Sequence, residues 1–528
     1  MDQNNAISVS SVPKILIVGA GPVGLVAAAF LKRQLVSFDI IEERSGPVRD
    51  SRALGIHART LEFMEILGIE EEFLRRGLPT RYMSFHRYGK KLFSLDFSKN
   101  DVLTKYSSYL ILPQSHTEDI LSSHLSQCGV KVLWGHRLSS FIQNEEKVTA
   151  KIDLVSGGGY TQDYSYIIAA DGASSTVRNI LNIDFSGETY PTDFLLSEVE
   201  IPGNKIDRNA THVYMGGKST IAVIPQPSGC YRIVGPNIEK NKQSDQKSNL
   251  SSVSFQQFNT FLSKNGLLKN MEMINPSRLL SYKMHKRVAS SFRSGRVFLA
   301  GDAAHIHSPA GGQGMNTGIH DAVNLTWKIS QVITGISNDN LLATYQTERM
   351  FFAKQIVNST DKAMQKVMSR NFRNYFFFNL IAPVLMKFWQ PRSLIASMAQ
   401  VSGGYPDFEY IKKGSDELKG LRVHDNPIHG KEKLHTLLGK RNYIIILSGD
   451  PHATSKLESV ILELSVYRKD IIFKRLCSPF RKSEFSEPWV GAILCRPDGY
   501  IAATFSVNES AIFKECLVSK LLMGNQYV

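Results

Sequence analysis

Short apolar runs that end in glycine or in an acidic residue recur along the chain, and they predict an α/β fold built on a parallel sheet. Lys14 to Val18 forms the first run, and a glycine-rich turn follows it directly. Leu25 to Leu35 then has the composition of a helix, and a second apolar run from Phe38 to Ile41 ends at Glu42. Strand, turn, helix and strand fit within about 30 residues, which is the size of one β-α-β unit.

Two later apolar runs predict further strands of the same sheet. Ile167 to Ala170 is followed by Asp171-Gly172, and Arg296 to Ala300 is followed by Gly301-Asp302. Between them, residues 190–285 contain short segments with alternating apolar and polar positions, which is typical of strands with one buried face. The order of these segments predicts a second, sheet-rich domain that is inserted into the first.

The C-terminal part of the chain has two different patterns. Residues 340–400 are mostly helical in pattern, and the most apolar stretch, Phe376 to Met386, lies among them. Asn379 and Pro383 interrupt that stretch, and it is too short to cross a bilayer, which takes about 20 apolar residues. We therefore predict a buried helix or a subunit interface there, and no membrane span. Roughly the last hundred residues return to alternating strands and helices and predict a separate α/β domain.

Composition narrows the classes of partner. The chain has 62 Lys+Arg against 48 Asp+Glu, and this net charge of +14 would attract nucleic acids, acidic lipids or anionic small molecules. The basic residues are scattered, and no helix-turn-helix, zinc-finger or RNP pattern is present, so no nucleic-acid partner is predicted. Five cysteines without a C-x-x-C pair argue against a disulfide scaffold, and an N-terminus without a secretory-signal pattern favours a cytoplasmic location.

The first turn carries the G-x-G-x-x-G pattern in the setting that nucleotide binding requires. Gly19 permits the tight turn after the strand, Gly21 lets a pyrophosphate approach the backbone, and Gly24 lets helix and strand pack closely. An acidic residue at the end of the second strand should accept hydrogen bonds from a ribose; Glu42 is placed for this, and Glu43 is the second candidate. The candidate binding residues in this unit are Gly19, Gly21, Pro22, Val23, Gly24, Glu42, Glu43 and Arg44.

A second cluster of candidates distinguishes FAD from NAD. Asp302, at the C-terminal end of a strand, can accept a hydrogen bond from a cofactor hydroxyl. The segment from Ser308 to Gly318, called the glycine loop below, leads into a predicted helix, and its N–H groups can face an anion such as the N1–C2=O region of a reduced flavin. We interpret His305 and His307 as local hydrogen-bonding groups, and no metal site is predicted. The candidates in this cluster are Gly301, Asp302, Pro309, Gly312, Gly314, Met315 and Asn316.

These motifs occur in the order seen in class A FAD-dependent aromatic hydroxylases, the family of p-hydroxybenzoate hydroxylase and phenol hydroxylase, and the chain resembles that family. The resemblance covers essentially the whole chain and is strongest for residues 14–350. Its most specific parts are the run from Gly301 to Ile329 and, after it, Leu341-Leu342 with Tyr345 and Glu348-Arg349. Within the family, the chain is most similar to the subgroup of 3-(3-hydroxyphenyl)propionate, pentachlorophenol and polyketide aromatic hydroxylases.

The resemblance implies roles for residues that the pattern alone does not explain. Arg52 is similar to an arginine that reaches the FAD pyrophosphate or the flavin region, and Gln114 is similar to a glutamine near the flavin. Asp171-Gly172 resembles a segment that supports both FAD and NAD(P)H binding, and Asp302 resembles the aspartate that contacts the ribityl chain. The segment from Arg496 to Tyr500 resembles the closing signature of a thioredoxin-like C-terminal module.

The resemblance also implies how the chain is divided into domains. It implies a Rossmann-like FAD-binding domain with an inserted β-sheet substrate domain, followed by a thioredoxin-like α/β domain. The predicted ranges are 1–189 and 286–365 for the two parts of the FAD-binding domain, 190–285 for the substrate domain, 366–420 for a helical region and linker, and 421–528 for the C-terminal domain.

The implied function is that of an FAD-dependent monooxygenase. NAD(P)H reduces FAD, the reduced flavin reacts with O2 to give a C4a-hydroperoxide, and this peroxide hydroxylates an aromatic or phenolic substrate. The predicted partners are therefore a small aromatic molecule and O2, and the resemblance together with the apolar stretch suggests a homodimer. Two alternatives remain open: an antibiotic- or polyketide-modifying oxygenase with the same chemistry, and a non-catalytic FAD-binding redox protein.

Overall fold

The computed structural model has a mixed α/β fold, which confirms the predicted fold class. It describes residues 14–47, 53–87, 90–100, 104–203, 206–216, 219–236, 250–252, 254–264, 273–308, 310–368, 381–388, 392–401, 404–405, 418–423, 425, 428, 433–440, 442–465, 472–477, 480 and 488–518. Two predicted site residues, Arg52 and Pro309, lie outside these ranges.

The helices within the described residues vary widely in length. They are α1 (Pro22–Arg33), α2 (Ala58–Leu67), α3 (Glu70–Arg76), α4 (Gln114–Gln127), α5 (Thr176–Ile180), α6 (Phe255–Lys264), α7 (Gly314–Ile333), α8 (Asn340–Met368), α9 (Ala382–Phe388), α10 (Arg392–Met398), α11 (Leu434–Leu437), α12 (Ser455–Ser465) and α13 (Ser510–Cys516). α1 and α7 pack against each other, and most residues of both are buried. The buried residues of α1 are small or apolar, whereas α7 also buries polar side chains such as Asp321, Asn324 and Lys328.

The strands within the described residues form several separate sheets. They are β1 (Lys14–Val18), β2 (Ser37–Glu42), β3 (Gly55–Ile56), β4 (Leu78–Thr80), β5 (Tyr82–Arg87), β6 (Lys90–Asp96), β7 (Tyr109–Ile111), β8 (Leu133–Trp134), β9 (His136–Gln143), β10 (Val148–Leu154), β11 (Gly159–Tyr164), β12 (Tyr166–Ala169), β13 (Phe185–Thr189), β14 (Phe194–Glu200), β15 (Ala210–Gly216), β16 (Ser219–Pro225), β17 (Tyr231–Pro236), β18 (Leu250–Ser252), β19 (Ile274–Tyr282), β20 (His285–Ala289), β21 (Arg293–Ser294), β22 (Val297–Leu299), β23 (His305–Ile306), β24 (Ile444–Ser448), β25 (Ile472–Arg475), β26 (Gly491–Cys495) and β27 (Ile501–Ser506).

The first sheet contains the predicted β-α-β unit. Its order is β21-β22-β12-β1-β2-β8, and all neighbours from β22 to β8 are parallel. β1 and β12 are almost fully buried because helices cover the sheet, which explains why these strands are continuous apolar runs. The parallel order also brings the C-terminal ends of β1, β12 and β22 to one edge, where ligands bind in open α/β sheets.

The second sheet has eight strands in the order β18-β19-β14-β17-β16-β15-β5-β6. Six of these strands come from the segment 190–285, and the other two, β5 and β6, come from an earlier part of the chain. β5 pairs in parallel with β15, from Tyr82 opposite Ala210 to Arg87 opposite Met215. The sheet therefore extends beyond the predicted inserted range.

A third, four-stranded sheet lies near the C-terminus in the order β25-β24-β26-β27. β24 is parallel to β25 and antiparallel to β26, and all five residues of both β24 and β26 are buried. That this sheet belongs to a separate, thioredoxin-like α/β domain stays a prediction. Among the residues described, no helix combines the length and the low polarity that crossing a bilayer requires.

Candidate active site

The turn between β1 and α1 is shaped by glycines in two different ways. A Cβ on Gly24 would lie only 1.9 Å from the carbonyl oxygen of Gly19, so helix and strand approach too closely there for any side chain. A Cβ on Gly21 would meet no atom within 4 Å, so the backbone at this position faces open space. Gly21 caps α1, and neither a capping side chain nor an acidic residue occupies the first turn. This helix end is therefore an available anion-binding site.

Glu42 lies beside this turn at the end of β2. Its Oε2 accepts a hydrogen bond from Ala20 N at 2.9 Å, and its Oε1 accepts one from Arg44 Nε at 2.8 Å. Burial alone would raise the pKa of Glu42, but the hydrogen bonds from Arg44 and Ala20 outweigh it and hold this pKa below its ordinary value. Arg44 N and Nη2 also donate to this carboxylate, at 3.1 and 3.0 Å, so all four of its lone-pair positions have donors from the protein. Glu43 instead faces solvent near Arg137, at 3.7 Å.

Asp171 follows β12 and lies against the same turn. A Cβ on Gly19 would be 3.1 Å from the Cα of Asp171. Its Oδ2 accepts a hydrogen bond from Val177 N at 3.1 Å, whereas its buried Oδ1 has no hydrogen-bond partner among the described residues. Burial raises the pKa of Asp171. Gly172, with a φ of +81°, has open space beside it, so this segment also faces the edge of the sheet.

Gly301 and Asp302 form the third segment at this edge, after β22. Arg178 Nη1 donates to the carbonyl oxygen of Ala303 at 2.9 Å, and this bond ties the segment that follows Asp171 to the one at Gly301. Gly301 N donates to Asp321 Oδ2 at 2.9 Å, and this carboxylate on α7 is completely buried. Asp302 itself is exposed, as a residue that contacts a ligand must be.

The glycine loop is held in place by Asn316, whose side chain is completely buried. Its Nδ2 donates to the carbonyl oxygens of Gly55 and Gly312, both at 2.9 Å. Its Oδ1 accepts from His57 N at 3.0 Å and from Thr60 Oγ1 at 2.7 Å. All four bonds of one amide are therefore used to join the loop to β3 and α2. The loop is thus a fixed element rather than an ordinary surface turn.

The end of the glycine loop presents positive backbone dipoles without a charged side chain. α7 begins at Gly314, and no capping side chain or acidic residue occupies its first turn. Burial lowers the pKa of both His57 and His307 to about 4, so both imidazoles are neutral at physiological pH. The attraction for an anion therefore comes from the helix N-terminus and the loop N–H groups. Met315 is partly buried in the same turn.

Gln114 lies near this region, at the start of α4. Ala53 N donates to its Oε1 at 3.4 Å, and its Nε2 donates to Glu118 Oε1 at 2.9 Å. The negative charge of Glu118 contributes to a raised pKa of Arg44, so Gln114 and Arg44 share one neighbourhood. The nearby Arg52 lies outside the described residues, as does Pro309 in the glycine loop.

These three segments and the glycine loop fit FAD. Two uncapped helix N-termini suit a pyrophosphate and an electron-rich ring, and open backbone at Gly21 suits close approach of a phosphate. Buried polar atoms that lack partners among the described residues, namely Asp171 Oδ1 and His307 Nε2, lie in the same segments. A ligand that supplies hydrogen bonds there would satisfy them.

The eight-stranded sheet has two chemically different faces. Ile221, Val223 and Ile233 share a core with Phe258 and Leu262 of α6, so this face is covered. Side chains alternate along each strand, so their neighbours lie on the opposite face. The partly exposed apolar residues of that face are Phe85, Phe93, Val213, Ile224 and Val234.

The opposite face carries aromatic residues, and a helix connects its sheet to the glycine loop. Phe85 and Phe93 stack there, with ring centroids 4.7 Å apart and an interplanar angle of 20°. α8 contacts both β16 of this sheet and the turn Ala310–Gly312 of the glycine loop, and α9 packs on β6. An apolar, aromatic surface, of the kind that an aromatic substrate requires, therefore belongs to a sheet that α8 connects to the anion-binding loop.

Sequence reasoning missed several residues that shape the site. His57 and Thr60 hold Asn316, and Asp321 holds Gly301. Asp321 lies among other polar residues of α7, such as His320 and Asn324, so the sequence pattern did not single it out. No pattern in the sequence connects His57 with the loop, because 255 residues separate it from Gly312, with which its ring forms a hydrogen bond at 3.3 Å.

One group of potential metal ligands occurs among the described residues. Glu65, Asp425 and His435 have ligand atoms within 4.8 Å of one another. The ammonium group of Lys105 contacts the Glu65 carboxylate directly, and Tyr106 OH donates to it at 3.3 Å. Because Lys105 would repel a further cation, we interpret this group as a network of ion pairs and hydrogen bonds.

Comparison with known proteins identifies the family to which the chain belongs. Residues 13–360 match a family described as FAD binding domain. The 6-methylpretetramide 4-monooxygenase of Streptomyces rimosus is 30% identical over 521 residues, which cover 93% of this chain and 90% of that protein. The pentachlorophenol 4-monooxygenase of Sphingobium chlorophenolicum is 34% identical over 368 residues, or 69% of this chain and 66% of that protein.

A solved structure supports the same conclusion along nearly the whole chain. The anhydrotetracycline hydroxylase OxyS of Streptomyces rimosus superposes with a TM-score of 0.76 at 26% identity, over 96% of this chain and 99% of that one. The predicted resemblance to aromatic hydroxylases is confirmed by these relatives. The chain therefore belongs to this FAD binding domain family and is an FAD-dependent monooxygenase that uses NAD(P)H and O2.

Proposed function

We propose that the enzyme hydroxylates a phenolic aromatic ring bound between the glycine loop and the apolar face of the eight-stranded sheet. The observation that carries this proposal is that α8 contacts both the anion-binding loop and this sheet, whose apolar face holds the stacked Phe85 and Phe93. A flat ring gains most from such a surface, because stacking adds to the burial of apolar area.

We assign FAD to the edge of the first sheet as follows. Its pyrophosphate binds at Gly21 and the N-terminus of α1, its adenosine ribose at Glu42 with Arg44 beside it, and its ribityl chain at Asp302. The isoalloxazine ring lies against the N–H groups of Gly312 and Gly314. When bound, the flavin takes a hydride from NAD(P)H and uses O2 to supply one oxygen atom to the substrate. The remaining members of the site are Gly19, Pro22, Val23, Gly24, Asp171, Gly172, Gln114, Gly301, Met315 and Asn316.

The protein then has two tasks that its own residues perform. The backbone dipoles of the glycine loop stabilise negative charge without a protonated histidine, because burial keeps His57 and His307 neutral. The sheet face excludes water and orients the ring, which contributes to rate by holding the reacting carbon near the cofactor. Neither task needs a charged side chain at the reacting centre.

The proposal has two forms, which differ in the substrate: a phenol with a single ring, or a phenol with fused rings. The names of the relatives indicate 6-methylpretetramide, anhydrotetracycline and pentachlorophenol as substrates of those proteins. The partly exposed apolar residues of the sheet face lie on β5, β6, β15, β16 and β17, and such a width suits a fused-ring phenol at least as well as a single ring. We therefore include polyketide-like and antibiotic phenols in the proposed substrate class.

The test is a panel of monocyclic and fused-ring phenols assayed for stimulated NADH and NADPH oxidation under isotopically labelled O2. The proposal predicts that at least one phenol stimulates the rate and gains one labelled oxygen atom. A protein that binds FAD but gives no labelled product with any phenol in the panel would contradict the proposed substrate class. Steady oxidation without a product would indicate a redox protein that releases peroxide.

We also propose a homodimer, with α9 at its interface. The described part of the predicted apolar stretch leaves Ile381, Val384 and Leu385 between 40% and 59% exposed, which is unusual for large apolar side chains that lie this close together. Light scattering coupled to size-exclusion chromatography should give twice the monomer mass for the parent protein. The variant Val384→Glu should give the monomer mass, and a parent that is already monomeric would rule the dimer out.

A further inference from the structure

Two sequence motifs that the proposed function does not use meet in the interior of the protein. One is Glu348-Arg349 on α8, and the other is the segment from Arg496 to Tyr500 between β26 and β27. We propose that their pairing positions Gly301-Asp302 and the first turn of α7 for the flavin. The C-terminal segment is then a part of the FAD site. This inference rests on the placement of FAD proposed above.

The first step of the argument is the buried carboxylate of Asp321. Its Oδ2 accepts from Gly301 N at 2.9 Å and lies 2.7 Å from His305 Nε2. The Asp321 carboxylate thus fixes both the backbone of Gly301, immediately before Asp302, and the imidazole of His305, which follows Asp302 in the chain. Because Asp321 also belongs to α7, this bond sets the distance between the third segment of the site and the helix at the end of the glycine loop.

The second step is Arg349, which holds Asp321 from the other side. Its Nε donates to Asp321 Oδ1 at 2.6 Å, and its Nη2 donates to the carbonyl oxygen of Thr317 in the first turn of α7 at 3.2 Å. Its Nη1 donates to Tyr405 OH at 3.2 Å. Arg349 is 1% exposed, so these bonds form in a medium of low polarity where their geometry is strongly constrained.

The third step connects Arg349 with the C-terminal segment through its neighbour Glu348. Arg496 Nη1 and Nη2 donate to the two oxygens of Glu348 at 3.0 and 2.9 Å, which is a forked pair. Arg496 also donates to Asp498 Oδ1 at 3.0 Å through Nε. Asn324 of α7 donates to Glu348 at 2.7 Å and to Tyr405 OH at 3.1 Å, and so closes the network.

A fourth contact brings α2 into the same arrangement. Arg59 Nη2 donates to the carbonyl oxygen of Asp498 at 2.6 Å, and Arg59 also pairs with Glu62 at 2.7 Å. α2 begins one residue after His57, which binds the glycine loop. The C-terminal motif therefore contacts both elements that flank the flavin position, α2 and the α7–α8 pair, through groups that are almost completely buried.

Buried ion pairs of this kind contribute little net stability compared with apolar packing of the same shape. They do restrict geometry, because a forked arginine–carboxylate pair tolerates only small displacements. One branch of this chain of contacts ends at backbone groups of the FAD site, Gly301 N and the carbonyl oxygen of Thr317. This endpoint distinguishes a positioning role from simple attachment of the C-terminal segment.

The test compares two identical substitutions in the full-length protein. Arg496→Lys keeps the charge but cannot form the forked pair with Glu348. Arg475→Lys is the matched control, because the described partners of Arg475 are Gly449, Thr454 and Glu458, all outside the segment from Arg496 to Tyr500. Each apoprotein is titrated with FAD while flavin fluorescence and the shape of the visible absorption band are recorded, and thermal unfolding is measured without flavin.

We expect Arg496→Lys to raise the FAD dissociation constant about tenfold and to change the band shape of the bound flavin, while Arg475→Lys stays within about twofold of the parent. Glu348→Gln, which keeps the shape of the side chain, should act like Arg496→Lys and replaces it if that variant does not fold. Parental FAD affinity in both Arg496→Lys and Glu348→Gln, whatever their thermal stability, would overturn the inference. Equal weakening in Arg475→Lys would overturn it as well.

A separate variant tests the placement of FAD on which the inference depends. Asp302→Ala should weaken FAD binding, and parental affinity in this variant would overturn the placement. Weakened binding in Asp302→Ala together with parental affinity in both Arg496→Lys and Glu348→Gln would overturn only the role of the C-terminal motif. The two failures are therefore distinguishable.

Discussion

At the scale of single residues, contacts between individual atoms determine which substitutions fit in the turn between β1 and α1. Gly24 touches the backbone of Gly19, whereas Gly21 faces open space, although both belong to one G-x-G-x-x-G motif. One glycine is therefore required by the fold and the other by the ligand. Asn316 is a second example at this scale, because its one buried amide uses all four of its hydrogen-bonding positions to fix the glycine loop.

The two glycines should respond differently to a single methyl group. Gly24→Ala places a Cβ 1.9 Å from an oxygen atom and should lower the free energy of unfolding of the apoprotein by about 2 kcal/mol or more. Gly21→Ala should leave that free energy unchanged but raise the FAD dissociation constant about tenfold, because its methyl occupies the space needed by a phosphate. Chemical denaturation and FAD titration measure the two effects, and equal effects in both variants would contradict this distinction.

Removing the amide of Asn316 should loosen the glycine loop. Asn316→Ala removes four buried hydrogen bonds and leaves the partners Gly55, Gly312 and Thr60 with unsatisfied groups, so the free energy of unfolding should fall by about 2–4 kcal/mol. Asn144→Ala, in an exposed turn, is the control and should lose less than about 1 kcal/mol. Similar losses in both variants would show that the loop is not held by Asn316.

At the scale of elements, the sequence pattern predicted those helices and strands whose formation depends mainly on residues close together in the chain. The β1–α1–β2 unit, β12, β22 and α7 each follow from an apolar run with a glycine or an aspartate at its end, and the structure contains all of them. Strand partners over long range were not predictable in this way. β5 and β6 join the eight-stranded sheet because their apolar face matches that of β15, and alternation along one strand does not reveal its neighbour.

The same holds for the candidate site: residues that lie close together in the chain were predictable, and contacts between distant segments were not. Gly19, Gly21, Gly24 and Glu42 lie in one turn, so spacing alone brings them together. The contacts from Arg349 to Asp321 and from Arg496 to Glu348 join segments that are distant along the chain, and only folding shows them. Glu43 shows where spacing alone is not sufficient. It lies one residue after Glu42, and because successive side chains of a strand point to opposite sides, its side chain faces solvent.

The packing of α7 on α8 gives a prediction about pH. The buried network has four arginines, Arg59, Arg349, Arg422 and Arg496, and four carboxylates, Glu62, Asp321, Glu348 and Asp498. Lys328 on α7 adds a fifth positive charge, 3.0 Å from Glu348. Burial lowers the pKa of Lys328 to about 7, from 10.5 for an ordinary lysine, although Glu348 opposes this shift.

Between pH 7 and about 10 the unfolded chain therefore binds a proton at Lys328 that the folded chain lacks, so stability rises with pH because of this group. Lys328→Met should be more stable than the parent at pH 7, and its advantage should shrink by at most about 1.4 kcal/mol per pH unit above that. Denaturation of both proteins at pH 7 and pH 9 measures this difference. An advantage that is the same at pH 7 and pH 9 would contradict this and show that the lysine stays charged in the folded state.

At the scale of the whole molecule, three of the sheets have different roles. The first sheet presents the nucleotide edge, the eight-stranded sheet presents an apolar face, and the C-terminal sheet supplies the motif that contacts α2 and α8. Cofactor binding and substrate binding should therefore be separable by substitutions on different sheets. The net charge of +14 is spread over this frame and favours anionic ligands in general without marking a site.

A substitution on the sheet face should affect the substrate and leave the cofactor unchanged. Ile224→Gln places a polar group on this face and should raise the KM of a phenol that is a substrate about tenfold, with FAD affinity unchanged. Leu462→Gln, at a side chain that is 59% exposed on α12, is the control and should leave KM unchanged. Steady-state kinetics and FAD titration provide both readouts, and an unchanged KM in Ile224→Gln would place the substrate elsewhere.

A crystal structure of the protein with FAD tests the central claim most directly, because it shows where the dinucleotide lies. We predict electron density for the pyrophosphate over Gly21 at the start of α1, and for the isoalloxazine ring against the N–H groups of Gly312 and Gly314, with Glu42 and Asp302 on one shared ligand. Density for FAD at any other position, or side chains packed where the ring should lie, would contradict the account.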